Sequence, residues 1–181
     1  MYFEQRGREN TERTLSLAVQ RGKELGLQYY VVASNTGETA EKLVASGVDV
    51  TCVTHHTGYQ KPGHQELAPN VAAKLSAAGV RVLTTTHLLG GIDRGVDNKF
   101  GGSSPAGIVS ATLRMFGQGT KVCVEIAVMA LDAGLIPYGE DIVAIGGSGK
   151  GADTSLIIRP AHAKDFFSCE IKEIICKPRN V

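Results

Sequence analysis

From Tyr29 to Ala33 the chain reads Tyr-Tyr-Val-Val-Ala, an unbroken aromatic and β-branched run. Such a run suits a strand buried on both faces. It breaks into Ser34, Asn35, Thr36 and Gly37, and a helical pattern follows from Thr39 to Ser46. That order leaves unpaired N–H groups at a helix start, where the helix dipole also favours an anion. The hydroxyls of Ser34, Thr36 and Thr39 can add donors to phosphate oxygens, and Gly37 lets the backbone approach closely. Two readings stand side by side. One is a phosphate cradle over Ser34–Thr39, with Asn35 and Glu38 inside it. The other is a capped βα turn in which Ser34 or Thr36 serves only the helix.

The same alternation continues on both sides. Asn10, the expected N-cap, precedes a helical face of Leu15, Ala18, Val19, Gly22 and Leu25, and Gly26 stops it. Gly47 ends the next helix and Val48–Thr54 forms a second strand. Pro69 opens a helix carrying Val71, Leu75 and Ala78, and Val80–Thr84 forms a third strand. Alternating strands and helices imply a mainly parallel sheet flanked by helices, a three-layer α/β domain over residues 1–181.

Thr85–Ser103 contains Gly90, Gly91, Gly95, Gly101 and Gly102 and reads as a long loop, a kind that is often functional. Ser104 and Pro105 then look like an N-cap and a first helical residue. Gly117 and Gly119 close that helix, and another runs from about Lys121 to Asp132. Ile142–Ile145 and Ser155–Arg159 read as strands. Ser168–Cys176 reads as a half-exposed strand, antiparallel at an edge.

A net charge of +1 across 181 residues gives no field that argues for nucleic acid or a membrane surface. No apolar run approaches the roughly 20 residues that cross a bilayer. Residues 2–6 turn polar at once, unlike a signal peptide. The four cysteines form no C-x-x-C pair, and Cys52 and Cys123 sit in apolar patterns as small core residues. A reduced, cytoplasmic chain is the expectation.

A second glycine loop spans Gly146–Thr154. Gly147 to Ala152 satisfies a relaxed dinucleotide fingerprint, but that fingerprint requires a helix next, and Thr154 opens an apolar β-branched run instead. Nor is it a Walker loop: Ala144 stands where the first glycine belongs, and Gly151 replaces the magnesium-binding hydroxyl. What remains is either a glycine-rich hairpin or a loop that closes over a ligand with Gly146, Gly147, Gly149 and Lys150.

Other polar residues fall at strand ends, where parallel sheets collect ligands. Thr54, His55 and Gly58 follow the second strand, and His87 follows the third. Each is a candidate ligand contact or a solvated turn. Adjacent His55 and His56 point apart on extended backbone, which disfavours a metal site. Arg94 and Lys99 can pair with an acidic substrate or simply be surface charge. Asp153 and Thr154 can bond a ligand or hold their own turn. Glu125 lies in an otherwise apolar helix and needs a partner if buried. No nucleophile with an identifiable base is visible.

The segments Gly7–Glu12, Val31–Ala40, Lys121–Ile126, Gly151–Thr154, Ile158–His162 and Glu170–Cys176 together resemble the pyruvate kinase C-terminal-domain-like proteins, stand-alone chains frequent in archaea. The resemblance covers essentially the whole chain. In pyruvate kinase the matching domain binds an allosteric sugar bisphosphate, with a Thr/Ser–Gly loop cradling a phosphate and a late glycine loop folding over it. The resemblance implies a cradle at Ser34–Thr39 and a cover at Gly146–Thr154. Glu38 departs from the basic residue often found in the kinase loop, which counts against a sugar bisphosphate unless the carboxylate turns away. The stand-alone family is associated with FMN in this pocket, which implies FMN as cofactor, with Tyr59, Phe100 and Tyr138 as candidate ring neighbours. The alternative is a non-catalytic effector module for a phosphosugar or nucleotide. A homo-oligomer is compatible with either. The phosphoryl-transfer barrel of pyruvate kinase has no counterpart here, so that activity is not expected.

Overall fold

The computed structural model describes residues 1–180. Seven strands form one sheet in the order β1-β7-β6-β5-β2-β3-β4. In chain order they are β1 (Tyr2–Phe3), β2 (Tyr29–Ala33), β3 (Asp49–Val53), β4 (Arg81–Leu83), β5 (Ile142–Gly146), β6 (Thr154–Arg159) and β7 (Glu170–Pro178). The helices are α1 (Thr11–Glu24), α2 (Glu38–Val44), α3 (Pro69–Ala77), α4 (Gly91–Phe100), α5 (Pro105–Arg114) and α6 (Gln118–Asp132).

The period of two along β2 builds both cores. Tyr30 and Val32 face one side, where they join Leu15 and Ala18 of α1, Leu43 of α2 and Leu75 of α3. Val31 faces the other side, against Cys123, Val124, Ala127 and Leu131 of α6. Such double burial favours near-continuous apolar runs in the central strands. Tyr30, Val31, Val32, Val143, Ala144 and Ile145 are each no more than 1% exposed. Both thiols assigned to the core are there, and burial pushes Cys52 up to about 12.

Several expectations need correction. The antiparallel strand is β6, which pairs with β5 and β7 in the sheet interior. The last strand, β7, is not an edge: β1 pairs with it in parallel and takes that position. Asn10 does not cap α1. It sits in helical backbone, and its amide donates to Gln5 O at 2.7 Å. A 3-10 turn at Arg8–Asn10 precedes the helix, and Thr11 Oγ1 donates back to Arg8 O at 2.7 Å.

The expected loop Thr85–Ser103 is largely the helix α4. Ile92, Val96 and Phe100 lie at i, i+4 and i+8, a helical stripe, yet α4 buries no residue and Ile92 is 84% exposed. The interspersed glycines obscured the period. Ser104 caps α5 as expected, its Oγ accepting from Gly107 N at 3.1 Å. Helix α6 begins before Lys121, and Gly119 lies inside it. A Cβ there would come within 2.0 Å of Thr154 Oγ1, so glycine allows α6 to press against β6.

Candidate functional site

From β2 the chain winds outward through β3 to β4, while β5 returns on the other side of β2. The winding therefore reverses between β5 and β2, and connections on either side diverge to leave a crevice at the C-terminal strand ends. The cavity there is about 650 Å³.

Ser34, Asn35, Thr36, Glu38 and Thr39 line it from the β2–α2 loop, and Thr54 and His55 from the end of β3. His87 lines it beyond β4, and Gly147, Gly149 and Lys150 line it from the β5–β6 hairpin. Helix α6 closes another wall with Gln118, Lys121 and Glu125.

Five expected contacts lie elsewhere. Gly37 is under the loop, packed against α3. Gly58 closes a turn by donating to His64 O at 2.9 Å. Gly146 is the buried end of β5, where a Cβ would meet Gly119 O at 3.0 Å. Asp153 is fully buried: its Oδ2 accepts from Gly7 N at 3.0 Å and Ser148 N at 3.3 Å. Thr154 is equally buried and donates to Asp153 Oδ1 at 2.8 Å. The last two hold the hairpin and do not face the crevice.

The β2–α2 loop combines features of both readings. Ser34 Oγ accepts from Thr39 N at 3.1 Å and Ala40 N at 3.3 Å, which is a capping role. The N–H groups of Thr36, Gly37 and Glu38 have no protein acceptor among the described residues. Gly37 has φ +90, and a Cβ on it would come within 2.6 Å of Val71 Cγ1. The loop is thus tight because α3 lies directly behind it. Glu38 is turned to Arg8, whose NH2 lies 2.6 Å from Oε1, and this cation together with Lys42 holds its carboxyl below the usual carboxylate value.

The α6 wall supplies what the sequence reading left open. Glu125 is buried, accepts from Leu89 N at 2.8 Å and pairs with Lys121 one turn earlier. Burial pushes the Lys121 ammonium below its ordinary value, and the Glu125 charge opposes that shift. Oppositely charged residues at i and i+4 in an apolar helix were a readable signal for this pair. Arg94, Arg114 and Lys150 also line the crevice, and none of the three has a carboxylate partner among the described residues. Lys99 is not in the lining.

An aromatic cluster forms the β3–β4 wall. His55 stacks on Tyr59 with ring centroids 3.7 Å apart, and His87 lies 5.5 Å from His55. His55 Nδ1 is 2.7 Å from Glu66 Oε2. Burial is the main cause that lowers the His87 pKa. Of the other candidate ring neighbours, Phe100 is exposed on α4, and Tyr138 stacks on His162, which bonds Asp132 at 2.7 Å. No cluster of three or more His, Cys, Asp or Glu suited to a metal occurs among the described residues, nor any helix long and apolar enough to cross a membrane.

A family model described as the pyruvate kinase alpha/beta domain matches residues 12–158. The chain belongs to the pyruvate kinase α/β-domain family. Its match runs from the start of α1 through the end of β6, so it contains both loops of the crevice and the α6 wall between them. Among solved structures, the chain is similar to a Cryptosporidium parvum pyruvate kinase in complex with ADP, at 18% identity and a TM-score of 0.41. That similarity covers 81% of this chain but only 22% of the kinase chain.

Proposed function

We propose that this α/β domain binds a phosphate-bearing small molecule, foremost FMN, in the crevice between β5 and β2. The observation that carries the reading is the charge balance of the lining. Arg94, Arg114 and Lys150 line it without carboxylate partners, Glu38 and Glu125 are paired with Arg8 and Lys121, and Glu66, held on His55, is the one lining carboxylate with no Lys or Arg partner, so cations remain in excess. Unpaired cations in a partly enclosed cleft concentrate anions there. The free N–H groups of Thr36 and Glu38, both in the lining, suit phosphate oxygens.

Two features support FMN among such ligands. A cavity near 650 Å³ lies within the usual range for ligand sites. The stacked His55 and Tyr59, with His87 beside them, offer an aromatic face to a planar ring. FMN bound there would supply redox chemistry, and the protein would set its orientation and electrostatics.

The test is absorbance of the purified chain in the visible flavin band, followed by melting with added FMN. At a hundredfold excess over Kd, binding adds about 2.7 kcal/mol, which raises Tm by roughly 5–11 °C for a domain of this size. Gly37→Asp abolishes the rise. Stabilisation by phosphosugars without any by FMN replaces the cofactor reading with that of an effector module. No shift with either class defeats phosphate binding itself.

A further inference from the structure

The His55–Glu66 pair is an arrangement that phosphate binding alone does not use. Three contacts fix His55, two of them on its ring. Glu66 Oε2 meets Nδ1 at 2.7 Å, the backbone N–H of His55 donates to Asn35 Oδ1 at 3.1 Å, and Tyr59 stacks on the ring. The two side chains are only 21% and 19% exposed. An ionised carboxylate can only accept, so it holds the neutral ring's proton on Nδ1. Nε2 is then the lone-pair nitrogen, and it has no protein partner among the described residues. A carboxylate-oriented imidazole with a free second nitrogen on a ligand crevice is the geometry of a proton-transfer base.

Two further groups complete the constellation. His87 stands at the next strand end, its ring 5.5 Å from that of His55, and burial favours its neutral form, which retains an N–H to donate. The Lys121–Glu125 pair lines the same crevice from α6, and both charges reach His87, Glu125 the more strongly and in the opposite direction. An anion anchor, an oriented base and nearby donors are the parts required to remove a proton beside a carbonyl.

We infer that the His55–Glu66 dyad catalyses proton transfer on a phosphorylated α-hydroxycarbonyl compound held in this crevice. The inference rests on the phosphate reading above and is independent of FMN. His55 Nε2 takes the proton from the hydroxyl-bearing carbon, and the C–H pair becomes the double bond of an enediolate. The carbonyl π pair moves to oxygen, where the His87 N–H donates to the developing charge. The hydroxyl proton of the enediolate passes to the former carbonyl oxygen by way of the His87 ring, which gives its N–H to one oxygen and takes the proton of the other. The His55 imidazolium, stabilised by Glu66, then returns its proton to the neighbouring carbon as the freed oxygen becomes the new carbonyl. Substrate and product are isomers, and no oxidant or co-reactant enters. His55 is the catalytic residue and Glu66 a positioning residue.

The experiment follows deuterium entering dihydroxyacetone phosphate from D2O, by NMR, with the full chain. Wash-in above buffer is expected. His55→Gln lowers it by about 100-fold or more, and Glu66→Gln by about 10-fold or more. Nitrogen NMR of the ligand-free protein reads the dyad without activity: the neutral His55 ring carries its proton on Nδ1, and Glu66→Gln, a near-isosteric second variant, redistributes it. No wash-in, wash-in that survives His55→Gln, or a neutral ring protonated on Nε2 overturns the proposal. Melting with inorganic phosphate separates the two readings. A phosphate shift without wash-in defeats the dyad alone, whereas absence of both defeats the phosphate site with it.

Discussion

The two loops that face each other across the crevice are both glycine-bearing, yet they are built differently. The β2–α2 loop is backed by a core. Val71, Leu67 and Leu75 all lie within 3.2 Å of where a Cβ on Gly37 would stand, and Ser34 is buried beneath the first turn of α2. The β5–β6 hairpin is anchored only at its base. Asp153 and Thr11 tie it down there, Thr11 Oγ1 accepting from Ala152 N at 3.1 Å. At its tip, a Cβ on Gly149 would meet nothing within 4 Å. One glycine is present because the space is taken, the other where space is open. A preformed loop binds with little ordering entropy, whereas an open one can adapt to what it covers and loses entropy in doing so.

This contrast predicts an order of mutational effects. The largest belongs to Gly37→Val, which forces a β-branched residue into left-handed backbone and into Val71. A loss of about 2–5 kcal/mol follows from strain and overpacking, read as a lower denaturation midpoint in urea. Asp153→Ala comes next. It leaves the Gly7 and Ser148 amides without their acceptor at the hairpin base, a loss of about 1–3 kcal/mol, with hydrogen exchange accelerating at Ser148. Gly149→Ala is the smallest, about 1 kcal/mol from its φ of +155. If Gly149→Ala destabilises the chain as much as Gly37→Val does, the hairpin tip is not open and the contrast fails.

The same distinction explains what could be read in advance. Strands β2, β3 and β5 were legible because burial on both faces favours near-continuous apolar runs. The crevice loops were legible because their glycines and hydroxyls directly follow such strands. Helix α4 was missed because Gly91 and Gly95 interrupt a stripe that packs against little, so the chain carries no strong apolar signal there. The base at His55 was half legible: its place at a strand end followed from the pattern, but its partner Glu66 lies 11 residues on, across an irregular connection.

By itself, the sequence determined the layered α/β class, the mainly parallel pairing and the positions of the two loops. These follow from local periodicity and from residues with special backbone freedom. Tertiary structure alone decided that Asp153 and Thr154 serve the hairpin, that Glu38 turns to Arg8, and that Lys121 and Glu125 form a crevice wall. It also decided which carboxylate meets His55. Those outcomes depend on which charged groups meet after the chain has wound back on itself. Burial then sets the strength and the protonation of each pair, and no local pattern encodes that depth.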